Sequence, residues 1–383
     1  MERLSRRDVF SLSAAAAFAT GAFAAETESL DAIAARKGLR FGSALGTRGL
    51  GDPRYLQLIR AQCSCIVPEN ELKMPQIQPL PGDFHFERAD ALLQFAADQG
   101  LAVRGHTLLW HHPRWLPRWL DDHDFGAEPA TAAAELLTQH VLRTTEHFGD
   151  RIVSWDVVNE AVDDVTGEMR ETRFSQAIGT PVQVVEIAFR AARAAWPQTE
   201  LVYNDYMGWE KSDGPHRDGV LRLLEQLRRN GAPVNALGLQ AHLGSGNQSD
   251  NASREFDARD ERAWRKFLTD VTGMGYRLLV TEFDVHDATL AGGIAARDRQ
   301  VAALGRAFLD ITLDFSEVHT VMCWGLADSY SWLQRRTPRA DQLPKRPTPY
   351  DAALRPKPLR DAIAAAFRAA PVRRPHATAG APA

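Results

Sequence analysis

A chain of 383 residues, 44% hydrophobic and 25% charged, has the make-up of an ordinary globular protein with room for one large domain or two. A formal net charge of −4 gives no electrostatic case for nucleic acid or an anionic membrane as partner. Three cysteines are too few for a disulfide framework, and no Cys or His pair has structural-zinc spacing.

The chain opens with Ser5, Arg6, Arg7, Val9 and Phe10, followed by a small-residue apolar stretch that ends near Ala24 and Ala25. A twin arginine ahead of such a stretch is the pattern of a signal for exporting folded proteins. Residues 1–25 are therefore expected to be a twin-arginine signal peptide, and the mature protein periplasmic or secreted in a bacterium. The stretch is short and rich in Ala for a membrane span, so no membrane association is expected after processing.

From residue 39 onward, short apolar runs alternate with longer helical patterns. The runs cover 39–44, 63–67, 101–108, 152–158, 201–203, 236–239, 277–280 and 320–324. Continuous apolar runs of this length suit strands buried on both faces of a parallel sheet. Apolar residues at three- and four-residue spacing mark helices at 88–99, 130–148, 182–195, 216–230, 259–273, 294–313 and 359–367, and 52–62 is available as the helix after the first strand. Pro129 and Pro181 stand at helix starts, and Gly100 and Gly231 follow helix ends. Eightfold strand–helix alternation predicts an α/β fold, a single (β/α)8 TIM barrel over residues 26–370. Cys63 and Cys65 would share one face of the second strand, with Cys323 in the eighth, all as small buried apolar groups. The stretch 371–383, rich in Pro and Ala without an apolar period, is expected to be a disordered tail.

Polar residues collect where the runs end. Glu69 and Asn70 follow the second run, and His106 ends the third. Asn159 and Glu160 follow the fourth, Asn204 and Asp205 the fifth, Gln240 and His242 the sixth, Glu282 and Asp284 the seventh, and Trp324 ends the eighth. A barrel gathers these carboxyl ends on one face, where the active sites of this fold lie. One polar strand end is ordinary where a strand meets water. Acids, amides and imidazoles at most of eight ends point to a site.

Two carboxylates stand out, Glu160 and Glu282. Paired carboxylates without a metal-ligand set or a Ser-His-Asp motif suit acid/base and nucleophilic chemistry on an acetal. A retaining glycosidase holds two such groups about 5–5.5 Å apart, one donating a proton to the leaving oxygen and the other attacking the anomeric carbon. Trp110, Tyr206, Trp324 and Trp332, at or just beyond strand ends, offer flat faces suited to sugar rings. Trp115, Trp119 and Trp196 are given no role in the site. The chemistry requires no cofactor and no metal.

The blocks PENELK (68–73), RGHTLLWH (104–111), WDVVNEAV (155–162), YNDY (203–206), GLQAHL (238–243), VTEFDVH (280–286), WGLADSYSW (324–332) and RPKP (355–358) together resemble glycoside hydrolase family 10, the endo-β-1,4-xylanases. The resemblance runs from about Leu39 to about Phe367, with the blocks in the family's order. It implies that Glu160 is the acid/base and Glu282 the nucleophile. It further implies that Asn159 meets the sugar's 2-hydroxyl, and that His242 and Asp284 support Glu282. Glu69, Asn70, Lys73, His106, Gln240, Trp324 and Trp332 match positions holding sugar on the non-reducing side. Trp110 matches a Trp near the cleaved unit, and Tyr206 an aromatic platform on the leaving-group side. The implied activity is retaining cleavage of xylan or xylooligosaccharides, by a monomer. Two departures stand out. The family's Trp-His step usually continues through a Gln to Pro-x-Trp, whereas this chain has WHHPRWLPRWL. YNDY continues as Met207 and Gly208 where the family usually has Asn. Two other functions stay open: a β-1,4-glucanase on the same fold, separated by bulk at Trp324 and Trp332, and a non-catalytic carbohydrate-binding barrel, which would lack one carboxylate.

Overall fold

The computed structural model describes residues 28–244, 258–336 and 338–373. The expected signal peptide and residues 374–383 of the expected tail lie outside them. The strands are β1 (Arg40–Leu45), β2 (Cys65–Pro68), β3 (Ala102–Trp110), β4 (Ser154–Asn159), β5 (Glu200–Asp205), β6 (Ala236–Leu239), β7 (His242–Leu243), β8 (Arg277–Val285) and β9 (Val318–Cys323). All pair in parallel in the order β6-β5-β4-β3-β2-β1-β9-β8, and β6 pairs with β8 to close the ring. The two-residue β7 continues the sixth barrel position and sets His242 opposite Asp284. This is the expected eight-stranded parallel barrel, with its sixth position broken at Gln240 and Ala241.

Helices Pro53–Gln62, Glu87–Gln99, Pro129–Phe148, Pro181–Ala195, Gly214–Arg229, Ala258–Gly273, Ile294–Leu313 and Pro358–Ala369 fall on the expected segments. Local chemistry explains their ends. Asp52 accepts hydrogen bonds from the N–H groups of Arg54 and Tyr55 at 3.0 and 3.2 Å, with Pro53 in the first turn. Gly100 closes Glu87–Gln99 at φ +67°, a left-handed cap that favours glycine. Helices Leu30–Ala35 and Arg173–Ile178 were not expected, because six residues are too few to show an apolar period.

The WDVVNE stretch shows how a strand divides its faces. Trp155 is fully buried on the outside of the barrel and lies against Trp196, ring centroids 5.8 Å apart. A Cβ on Gly105 of β3 would lie 2.2 Å from the Trp155 ring, so only glycine leaves room for it. Truncating a buried ring of this kind generally costs about 3–5 kcal/mol. Asp156 turns the other way, where its carboxylate accepts from Arg104 at 2.6 Å and meets His106 Nδ1 at 3.0 Å. The ladders slip between His106 and Leu109, between Asp156 and Val158, and between Val280 and Phe283. Such irregularities at a barrel rim re-aim side chains.

Two expectations need correction. Cys63 does not share a strand face with Cys65. It ends helix Pro53–Gln62 and packs in the layer between helices and barrel, while Cys65 joins an inner cluster with Val67, Met322 and Trp324. The packed body also runs past Ala370. Arg373 is buried, with Nε donating to the Val318 carbonyl at 2.7 Å and Nη2 to that of Leu313 at 2.8 Å.

Candidate active site

The carboxyl ends of the strands open into a cleft of about 960 Å³. Glu69, Asn70, Lys73, His106, Trp110, Asn159, Glu160, Tyr206, Gln240, His242, Glu282, Trp324 and Trp332 all line it. Asp284 does not; it is fully buried behind His242.

Glu160 follows β4 with φ at +56°, a left-handed backbone that is costly for a residue with a Cβ. The turn is held by its own N–H, which donates to the Asn204 carbonyl at 2.9 Å, and by the Ala161 N–H, which donates to the Tyr203 hydroxyl at 3.2 Å. The side chain is thereby swung into the cleft. There Oε2 accepts from Trp110 Nε1 and Oε1 from Gln240 Nε2, both at 2.9 Å. Burial raises its pKa, and the negative charges of Asp205 and Glu282 add to the rise; the Gln240 and Trp110 hydrogen bonds only partly oppose it.

Glu282 sits within β8, not beyond it as the sequence suggested, and so does Asp284. Burial alone would raise Glu282. The attraction of His106, the hydrogen bond and charge of His242, and the charge of Lys73 outweigh it and bring the carboxyl down to about 2. His242 bridges the two acids, with Nε2 3.1 Å from Glu282 Oε2 and Nδ1 2.9 Å from Asp284 Oδ1. Burial works against its protonation, but Asp284 first and Glu282 next push it up to about 10. At neutral pH this histidine is an imidazolium donating at both ends. Trp332 Nε1 donates to Asp284 Oδ2 at 2.8 Å, which fixes the far end of the relay.

A chain of amides joins the two carboxyl groups. Gln240 Nε2 donates to Glu160 Oε1 and, at 3.2 Å, to Asn159 Oδ1. Asn204 Nδ2 donates to the same Asn159 oxygen at 2.9 Å and to Glu282 Oε1 at 2.8 Å. Its own Oδ1 accepts from the Thr281 hydroxyl at 2.7 Å. With Asn159 Oδ1 taken twice, the Asn159 Nδ2 group is the one left to meet a ligand. The two carboxyl groups thus sit in one connected network with their pKa values displaced in opposite directions.

Lys73 donates to Asn70 Oδ1 at 2.9 Å and lies 4.7 Å from the Trp110 ring centroid and 6.0 Å from that of Trp324. Burial lowers its pKa against the pull of Glu282, Glu69 and Glu160. Tyr206 is anchored by Arg170 Nη2, which donates to its hydroxyl at 2.8 Å. Sequence reading assigned Asn204 no role, although it lies at a strand end. It also passed over Trp115, which lines the cleft, 41% exposed, with its ring stacked on Trp110 at 4.8 Å. The doubled Pro-Arg-Trp at 113–115 and 117–119 was the available signal: one Trp serves the cleft. The other, Trp119, is half-buried and donates to the Gln78 carbonyl at 3.0 Å.

A buried carboxylate beside an imidazolium, and a second carboxyl with a raised pKa across a network of amides, are the equipment of a glycoside hydrolase when they stand at the mouth of a (β/α)8 barrel. The chain belongs to Glycosyl hydrolase family 10, whose profile matches residues 29–366. It is 30% identical over 333 residues to endo-1,4-beta-xylanase B of Paenibacillus barcinonensis, covering 83% of this chain and 92% of that one. It is 28% identical over 314 residues to endo-1,4-beta-xylanase B of Thermotoga neapolitana, covering 81% and 84%. The crystal structure of xylanase 10B from Thermotoga petrophila RKU-1 in complex with xylobiose matches the fold with a TM-score of 0.76 at 27% identity, over 88% of this chain and 97% of that one.

Proposed function

We propose that the protein is a retaining endo-1,4-β-xylanase that cleaves internal β-1,4-xylosidic bonds of xylan or xylooligosaccharides by double displacement. The observation that carries this reading is the opposite displacement of the two carboxyl groups, Glu282 down to about 2 and Glu160 up. In the first step a Glu282 oxygen attacks the anomeric carbon while the bond to the leaving oxygen breaks. Glu160 gives that oxygen its proton. The ester so formed no longer carries the Glu282 charge, which is one of the causes that raise Glu160. Glu160 therefore becomes more acidic just when it must serve as a base. It takes a proton from water, the water oxygen attacks the anomeric carbon, and Glu282 is released. Asn159 Nδ2 would donate to the 2-hydroxyl of the bound xylose, a contact that strengthens as charge develops on the ring. Glu69, Asn70, Lys73, His106 and Gln240 supply polar contacts to the glycone, with Trp324 and Trp332 closing over it and Tyr206 supporting the leaving group.

Xylohexaose followed by NMR from the first turnover tests the reading. Shorter xylooligosaccharides should appear first as β-anomers and then mutarotate. Initial α-anomers would mean inversion and rule out Glu282 as nucleophile. Cleavage of cello-oligosaccharides in preference to xylohexaose would move the activity to a β-glucanase.

We further propose export of the folded enzyme through the twin-arginine signal at residues 1–25. Replacing Arg6 and Arg7 by Lys should leave the enzyme unprocessed in the cytoplasm of a bacterial host. Undiminished export of that variant would refute the proposal. No helix among the described residues is long and apolar enough to cross a membrane.

A further inference from the structure

The cationic side chains of the cleft wall gather on one side, where Glu69 is the acid among them. Lys73 and Arg88 follow β2, Arg114 follows β3, and Arg335 and Arg336 follow β9; all line the cleft. In the ring, β9, β1, β2 and β3 are consecutive. The acids Glu210 and Asp213, which also line the cleft, follow β5, across the ring from β1. In a chain of net charge −4 this cationic arc is a local excess.

A neutral sugar chain does not account for the whole arc. Lys73 serves Asn70 and the catalytic carboxyl groups, and Arg88 is engaged by Gln76 at 2.9 Å, Thr47 at 3.1 Å and Glu71 at 3.7 Å. Arg114 and Arg335 are exposed, and among the described residues neither meets a carboxylate within ion-pair distance. Arg114 is also pre-positioned. Its guanidinium lies 5.4 Å from the centroid of Trp115, which is itself stacked on Trp110. Across the arc, Arg336 lies 5.0 Å from the Trp332 centroid in the same manner. A guanidinium laid on an aromatic face gives up part of its hydration, loses rotamer freedom in advance, and keeps its N–H edge available for a two-point bond to a carboxylate.

We infer that this arc binds a carboxylate borne on a branch of the sugar chain, a uronic acid, with Arg114 and Arg335 as the reading residues; this presupposes the xylanase activity proposed above. Arg114 and Trp115 lie in the stretch where the chain departs from the family's pattern after β3. Branched polymer would therefore be held by its charge on the glycone half.

The test compares kcat/KM on glucuronoxylan with kcat/KM on the same polymer after its carboxyl groups are reduced to alcohols. Reduction keeps the branch and removes only its charge. The native enzyme should prefer the acidic polymer by about fivefold, in keeping with exposed charge-assisted contacts. The preference should shrink in high salt and fall to parity in the double variant R114Q/R335Q. Equal rates on the two polymers with native enzyme, or an undiminished preference in the double variant, would overturn the inference. Unbranched xylohexaose run alongside separates the two possible failures. If it is cut while the ratio is one, only the carboxylate site falls. If it is not cut, the xylanase reading falls, and the carboxylate site with it.

Discussion

Glu282→Gln is expected to lower kcat/KM on xylohexaose on the order of 10⁵-fold, the scale of loss when a covalent nucleophile is removed. The amide keeps the shape of the side chain and its one oxygen can still accept from either Asn204 or His242, though not from both as the two carboxylate oxygens do, so the fold should change little. What disappears is the charge that attacks the anomeric carbon. Activated aryl xylobiosides should suffer as severely, because no leaving group compensates for a missing nucleophile. A second readout lies at His242. Its elevated pKa, about 10, rests on Asp284 first and on Glu282 next, against burial. In the Gln variant one of those charges is gone, so the His242 resonance should titrate at lower pH than in the native enzyme. Activity above about 1% of native, in protein shown free of wild-type contamination, would remove Glu282 from the role.

Glu160→Ala is expected to separate substrates by their leaving groups. On xylohexaose, whose leaving alcohol needs a proton, the loss should be about 10³-fold. With an aryl xylobioside whose phenolate departs unaided, the first step should be nearly preserved and the second slowed. The glycosyl-enzyme should then accumulate, and a burst of phenolate should be visible. The pH profile gives the sign. Glu160 must be protonated to act, and its pKa is raised by burial and by the charges of Asp205 and Glu282. Native activity on xylohexaose should therefore fall as pH climbs through that raised value. At the acid end it should fall only as Glu282 becomes protonated near 2. In the Ala variant the alkaline limb set by Glu160 should be absent. Equal losses on the two substrate types, or an alkaline limb that persists unmoved, would count against Glu160 as the acid.

Much of this site could be read before any coordinates. A strand buried on both faces must be apolar along its length, so each barrel strand shows itself as a run, and its exit from the barrel shows as the first acid, amide or imidazole. That logic placed Asn159, Glu160, Gln240 and His242 at the mouth, and all four line the cleft. It failed where a side chain's direction depended on a neighbour. Cys63 and Cys65 have the spacing of residues on one strand face, yet the helix ends at Cys63 and separates them. Glu282 and Asp284 read as residues beyond their strand, but β8 runs on to Val285 and holds both, with His242 bridging them.

Trp115 is the clearest case of a cleft-lining side chain that the sequence concealed. Between two Pro-Arg-Trp triplets, nothing local says which ring turns inward to the core and which outward to the cleft. The sequence by itself determined the alternation of strand and helix and offered Glu160 and Glu282 as the candidate carboxyl groups, because these follow from apolar period and residue type within short windows. Tertiary structure alone decided which carboxyl group has its pKa lowered and which has it raised. That depends on the His106, His242 and Lys73 charges gathered around Glu282 and the Asp205 charge felt by Glu160, brought together from separate strands by closure of the ring.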